Sequence, residues 1–444
     1  MSDKLQTVII FPLSGLSQSM TTRIRNGRLE AAKVWNLCRD LHLEARKTGT
    51  KWPGRDSLQQ AVKGGTFALH SQSAQMVCHA FLANVKTTRE LRKKGNKQIR
   101  YPYRDKMFYP LAWPAQAMCL TEKSIVLPMG RNNPSLVLPK PVWLNKKRAC
   151  KLVWNGSANE LHITVETDAA QEPPGENKAA VDLGQIHQAA VATDTGYALI
   201  VSGRGIRSEK QRLNKLHGKM GKMLARCTRG SRRWKKLRRK RSVLAARTRR
   251  RIRDLRHKGT RKVIDFCIDQ KVGQLYVGNP KGVRKKKSGR KHNQRMSQWE
   301  YGKDIAYLRQ KAAKAAIECF TGTERGTSSR CPECGRLKKP QGRVWTCPAC
   351  GFTGHRDIVG AINIFTLAFD TKIVFPSLRD LTYLRPNGQK HCSIGSSSRL
   401  DTGRGHKARV AVEGMIPTKP NFGVSQETGQ GYVLFNRSSS PSGD

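Results

Sequence analysis

The stretch AAVDLGQIHQAAVATDTGYALIVSG, residues 179–203, holds two apolar runs separated by a DTG turn signal. Two such runs around a short turn predict a β-hairpin. Asp182 stands inside the first run. A carboxylate in the middle of a buried strand is costly unless it is paired or binds a cation. Asp182 is therefore a candidate metal ligand, the bland alternative being a side chain facing solvent at a strand end. The DTG at 194–196 also matches an aspartic-protease signature, which nothing else in the chain supports.

Reading outward toward the C-terminus, residues 207–270 predict two long, very basic helices. Leu213, Leu216, Met220 and Leu224 form an apolar stripe on the first, and Trp234, Leu237, Leu244 and Ile252 contribute to one on the second. VGQLYVGNPKGV (272–283) reads as a strand stopped by Gly and Pro, and RKKKSGRKHNQR (284–295) as a basic loop. A helix over WEYGKDIAYLRQKAAKAA (299–316), a strand IECFTG, a cysteine cluster and a short helix from Asp357 to about Phe369 follow. The last seventy-odd residues, 371–444, carry no sustained periodicity and are expected to be disordered. Toward the N-terminus, KLQTVIIF (4–11) reads as a strand and 17–98 as helical. SIVLP, SLVLP and LHITVET within 100–170 read as a small β-rich module, closed by the linker QEPPGEN (171–177).

Composition points to the partner. The 444 residues hold 84 Lys and Arg against 31 Asp and Glu, a formal net charge of +53. Such a surface repels itself unless a polyanion neutralises it, and nucleic acid is the commonest one. No run of about twenty apolar residues suits a bilayer, and MSDKLQTVIIFPLSG lacks the form of a secretory signal. No membrane partner is expected, and the expected location is the cytoplasm, on the nucleoid. The segments KKLRRKR and RTRRRIR are suited to gripping phosphates. RYPYRDKMFYPLAW (100–113) interleaves basic residues with Tyr101, Tyr103, Phe108, Tyr109 and Trp113. Those rings could stack on unpaired bases, but most are better read as the core of the β-rich module.

Of twelve cysteines, eight are scattered singly and four form CPEC (Cys331, Cys334) and CPAC (Cys347, Cys350), with twelve residues between the pairs. Each CxxC turn aims two thiolates at one point, and two turns complete a tetrahedral zinc shell. Four thiolates leave no open position, so the Zn²⁺ is expected to be structural. Shortly after the ribbon comes GHRDIVGAINI, where Asp357 is a second candidate carboxylate or a simple helix cap. Two or three carboxylates converging on Mg²⁺ could activate water against a phosphodiester.

AAVDLG, the basic helical insertion, QWEYGKDIAYLRQKA, GTSSRCPECG and CPACGFTGHRDIVGAINI together resemble the TnpB/OrfB family. These are the transposases of small bacterial insertion sequences, relatives of the compact CRISPR effector nucleases. The resemblance covers about residues 1–368. It implies an α/β fold: an RNase H-like RuvC domain over 176–330 and 352–370, with the basic insertion at 207–270 and the zinc ribbon at 331–351. It further implies a β-barrel-like, wedge-like module over 1–16 and 99–175, interrupted by a helical recognition lobe at 17–98. The implied activity is Mg²⁺-dependent cleavage of double-stranded DNA guided by an RNA from the element's own end, with Asp182 and Asp357 matching the first and third catalytic acids.

One position departs from the family. Where it carries a Glu at the end of the second motif's strand, LYVGNPKG places Gly278, followed by Asn279. Either the site is inactive, leaving an RNA-guided DNA binder, or another acid substitutes. In an RNase H-like sheet the next strand, IECFTGT, would lie beside the one ending at Gly278, about 4.8 Å away. Glu324, just beyond that strand, is then the candidate third ligand, whereas Glu318 and Glu300 should lie farther off. The alternative for Glu324 is a surface charge paired with Arg325 or Arg330. A non-enzymatic zinc-ribbon RNA-binding protein is the remaining reading.

Overall fold

β1 (Lys4–Pro12) runs antiparallel to β7 (Asn159–Asp168) along its whole length, from Lys4 opposite Asp168 to Pro12 opposite Glu160. The computed structural model describes residues 4–283, 289–338, 342–377 and 380–387. Between those two strands the chain makes three helices, α1 (Gln18–Thr48), α2 (Arg55–Ala61) and α3 (Ser71–Lys93). It then forms five short strands, β2 (Leu111–Trp113), β3 (Cys119–Leu120), β4 (Ser124–Leu127), β5 (Leu136–Pro139) and β6 (Cys150–Trp154). α1 starts where Ser17 Oγ accepts the Met20 N–H at 3.2 Å, and it ends at Gly49, whose φ of +72° suits the left-handed cap. Its buried Ile24, Ala31, Val34, Trp35 and Cys38 recur at helical spacing and face Ala74, Val77, Cys78, Phe81 and Val85 of α3.

The β-rich part is not one hydrogen-bonded ring. Among the described residues its strands make a four-stranded sheet, β1-β7-β6-β2, and a three-stranded one, β3-β4-β5. Both sheets and the helices share a single apolar core that includes Trp35, Phe81 and Trp113. Tyr101, Tyr103 and Tyr109 pack against this core, and Tyr109 stacks on Trp35 with ring centroids 4.6 Å apart. Most of the aromatic run at 100–113 is thus packing surface.

The second core belongs to a six-stranded mixed sheet in the order β12-β11-β8-β9-β10-β15. β8 (Asn177–Leu183), β9 (His187–Thr193) and β10 (Ala198–Ser202) form an antiparallel meander; the expected hairpin around the DTG turn is β9–β10, and the first apolar run holds two strands, β8 and β9, joined through residues 184–186. Asp194 of the DTG turn serves locally, its Oδ2 accepting the Lys178 N–H at 2.8 Å. The chain then forms α4 (Arg204–Ala225) and α5 (Arg232–Asp269), returns as β11 (Val272–Asn279), and continues through α6 (Arg290–Ser297) and α7 (Tyr301–Lys314) into β12 (Glu318–Thr323). β11 lies parallel to both β8 and β12. Residues Val263, Ile264 and Cys267 of α5 and Leu308 and Ala312 of α7 cover one face of the sheet. The other face meets α8 (Arg356–Phe369), which follows the hairpin β13 (Val344–Thr346) and β14 (Thr353–His355).

Three expectations need correction. Part of the basic loop, Arg290–Ser297, is helical, because no Gly or Pro interrupts it and Met296 is buried. The stripe on α4 is shallow: only Ile206 and Met220 are buried there, since α4 packs against α5 and not against the sheet. The presumed tail contributes β15 (Leu381–Leu384), paired in parallel with β10. Leu381 and Leu384 are buried at the sheet edge, and a four-residue strand is too short to show periodicity in sequence. The remainder of that segment, 388–444 with Cys392, lies outside the described residues, as does 284–288 of the basic loop.

Candidate metal centres and catalytic site

The four cysteines of the ribbon come together. Cys331 Sγ lies 3.7 Å from Cys350 Sγ, Cys334 Sγ lies 3.5 Å from Cys347 Sγ, and all four sulfurs fall within 4.8 Å of one another. Tetrahedral thiolates at a Zn–S distance of about 2.3 Å would be about 3.8 Å apart, so the donor set fits Zn²⁺. The Cys347 thiol is drawn down to about 6, first by the Cys350 backbone N–H, whereas burial pushes Cys331 up to about 12. Gly335 and Gly351, at φ of +74° and +70°, supply the left-handed residue after each CxxC turn. Trp345 and Val359 join Cys331 and Cys347 in a small core that seats the ribbon on α8.

That seating fixes the start of α8, and with it Asp357. The helix is capped by His355, whose Nδ1 accepts the Asp357 N–H at 3.3 Å. Asp357 is therefore not spent as a cap. Its carboxylate accepts from His187 Nδ1 at 2.5 Å, and Arg343 Nη1 lies 3.9 Å away. A carboxylate can only accept, so this nitrogen of His187 carries the proton. Burial alone would raise the Asp357 carboxyl, but the His187 hydrogen bond and the charges of His187, His355 and Arg343 outweigh it and hold Asp357 below the ordinary carboxylate range.

Asp182 and Glu324 go the other way. Asp182 lies on β8 under α8, so close that a Cβ on Gly360 would fall 2.5 Å from its Oδ2. Burial first, then the nearby Glu324 and Asp357, push Asp182 well above the usual range, with Arg356 opposing. Glu324 follows β12, which runs beside β11 with Gly278 opposite Gly322 and Asn279 opposite Thr323. A Cβ at Gly278 would meet Glu324 Oε2 at 2.6 Å and Ile364 Cδ1 at 2.8 Å. The Glu324 side chain thus occupies the space directly over residue 278, and a side chain at that residue would force it to shift.

Glu324 is not a paired surface charge. Among the described residues it forms no ion pair with Arg325 or Arg330; its Oε2 is buried without a hydrogen-bond partner, and burial pushes its carboxyl up to about 7. The segment after it is tied down: Asn363 Nδ2 of α8 donates to Thr327 O at 2.6 Å and Arg330 O at 2.7 Å, and Thr327 Oγ1 donates to Glu324 O at 2.8 Å. The competing acids lie elsewhere. Glu318 is exposed at the start of β12 opposite Gln274, and Glu300 pairs with Lys303, Lys210 and Arg256.

Reading in chain order missed several buried polar residues of this domain. His187, His355 and Asp357 form a second group with potential metal-ligand atoms within 4.8 Å of one another. A buried ion pair, Arg256 with Asp304, ties α5 to α7, and Gln188 Nε2 of β9 donates to Asp304 Oδ1 at 3.0 Å. No local sequence signal marks these, because each partner comes from a distant element. Among the described residues no helix is long and apolar enough to cross a membrane.

Comparison with known proteins agrees with this architecture. Residues 162–284 match the OrfB (IS605) family model, described as probable transposase, and residues 301–364 match the Cas12f1-like TNB domain. No curated protein matches the chain. The solved Cas12f1–sgRNA–target DNA complex matches with a TM-score of 0.54 at 13% identity, over 78% of this chain and 83% of that one. The mini-RNA-guided endonuclease CRISPR-Cas phi3 matches with a TM-score of 0.42 at 11% identity, over 84% of this chain and 94% of that one. The two family matches bear out the resemblance to the OrfB transposases and the compact CRISPR effectors, and the Cas12f1 likeness is one of fold.

Proposed function

We propose that this chain is an RNA-guided, Mg²⁺-dependent DNA endonuclease of the transposon-associated type, with its six-stranded sheet as an RNase H-like RuvC domain. Asp182, Glu324 and Asp357 would hold the metal, and Cys331, Cys334, Cys347 and Cys350 a structural Zn²⁺. The observation that carries the reading is the exchange at residue 278: the family's carboxylate is missing there, and the Glu324 carboxylate fills the vacated space against the same strand. Its orphaned, buried oxygen and the mutual repulsion with Asp182 suit a divalent cation, which would relieve both. Bound Mg²⁺ would polarise the scissile phosphate and lower the pKa of an attacking water. Asp357, held below the ordinary carboxylate range, would supply a standing negative charge, and the ionised forms of Glu324 and Asp182 would be favoured beside a bound cation.

The Cas12f1 protein that shares the fold was solved with a guide RNA and a target DNA. The same partner classes suit this chain, whose charge is +53 and whose α5 carries RRWKKLRRKR and RTRRRIR. The test is plasmid cleavage by protein co-expressed with its flanking element RNA, in Mg²⁺ or EDTA, for wild type, Asp182→Ala and Glu324→Ala. The proposal expects Mg²⁺-dependent cleavage abolished by both substitutions. Cleavage lost in Asp182→Ala but kept in Glu324→Ala would remove Glu324 from the site. Guided binding without cleavage by wild type would make the chain a DNA-binding protein with an inactive centre.

A further inference from the structure

His187 is only 3% exposed, on a strand whose every residue is buried. Its position is over-determined. Nδ1 donates to Asp357 Oδ2, the ring lies 5.2 Å from that of His355, and Tyr383 of β15 stands edge-on at 5.6 Å and 86°. His355 is itself fixed by accepting the Asp357 N–H. Asp357 therefore has its backbone held by one histidine and its carboxylate by the other. Without such support, the Asp357 carboxylate would be free to turn away from Asp182 and Glu324.

We propose that His187 is a positioning residue for the metal centre: its N–H fixes one oxygen of Asp357, so that the carboxylate stays within reach of Asp182 and Glu324 and its second oxygen is presented to a divalent cation. The proposal rests on the metal-site reading above. Hydrogen-bond partners of ligating carboxylates and imidazoles commonly change metal affinity or activity by about 10–100-fold when removed. The neighbouring Arg343, 3.4 Å from His187 Nδ1, stands farther from the carboxylate, at 3.9 Å, beyond hydrogen-bond distance.

The test uses the full zinc-loaded chain without RNA, with Mn²⁺ as the probe and the free ion counted by its paramagnetic resonance signal. The variants are Asp182→Ala, His187→Ala and His187→Asn, the last keeping an N–H donor close to the position of Nδ1. Wild type should bind Mn²⁺ at a site lost in Asp182→Ala. His187→Ala should weaken that site by about 10–100-fold, and His187→Asn should return it to within a few fold of wild type. Asparagine and alanine both remove the imidazole packing, so rescue by asparagine alone separates hydrogen-bond donation from a role in folding. Unchanged Mn²⁺ affinity in His187→Ala overturns the positioning role. So does an asparagine variant that melts like wild type yet binds as weakly as the alanine variant. Wild-type binding that survives Asp182→Ala would overturn the metal-site reading itself, and the positioning role with it.

Discussion

Replacing Glu324 by Gln in the metal-free protein should raise thermal stability, and the gain should grow with pH. The folded protein holds the Glu324 carboxyl at about 7, above the ordinary 4.5, because burial disfavours its charged form. The sign follows from linkage. A carboxyl raised on folding stabilises the folded state fully below about pH 4.5, and that contribution is lost as pH rises through about 7. A displacement from 4.5 to about 7 corresponds to a ceiling of roughly 3 kcal/mol at pH 8. Glu324 keeps some access to water, so about 1–3 kcal/mol is the working figure. For a domain of this size each kcal/mol moves the midpoint by about 2–4 °C. Glutamine leaves its own amide without a partner, at a cost of about 1 kcal/mol, but that cost does not change with pH. The assay is a pair of melting curves in EDTA at pH 5 and pH 8 for both proteins, repeated with Mg²⁺. Glu324→Gln should gain several degrees on wild type between pH 5 and pH 8, and Mg²⁺ should erase the gain by stabilising wild type selectively. A difference in melting midpoint that is the same at both pH values would refute the argument, because the carboxyl would then be titrating normally.

Gly278→Ala puts a methyl group 2.6 Å from Glu324 Oε2 and 2.8 Å from Ile364 Cδ1. It should cost about 1–3 kcal/mol of stability by overpacking and weaken Mg²⁺-dependent cleavage, read by melting and by a Mg²⁺ titration of plasmid nicking; full activity at wild-type Mg²⁺ concentrations would show that Glu324 does not need that space. The ribbon should hold one Zn²⁺ per chain, measured by metal analysis. Cys347→Ser should lose the metal and expose α8 to faster amide exchange, since Cys347 and Val359 share the ribbon's small core; retained zinc would show that the four sulfurs are not its shell.

Much of the chain could be read locally. The CxxC pairs place their ligands within a single turn, so spacing alone announced the cluster that the fold assembles. The β9–β10 hairpin and the long basic helices were legible because a turn signal between apolar runs and helical periodicity are both local features of the chain. The family resemblance sufficed to notice that residue 278 lacks its acid, and the rule that successive strands pair pointed to the end of β12.

What the sequence could not supply was the set of distances between residues far apart along the chain. The close approach of Glu324 to Gly278 requires β12 to lie parallel to β11 in the observed register. The Asn363 anchors depend on how α8 crosses the segment after β12. His187 in HQAAVAT looks like any imidazole of an apolar strand, and its partner Asp357 lies 170 residues away. The edge strand β15 shows no pattern of its own and forms because β10 offers unpaired backbone groups and an apolar edge. The sequence by itself determined which elements form and which ligands a single turn brings together, because those depend on contacts a few residues apart. The tertiary structure decided which groups lie near Asp182 and Glu324, how burial shifts each carboxyl and which histidine holds Asp357, because burial and proximity arise only when distant elements pack.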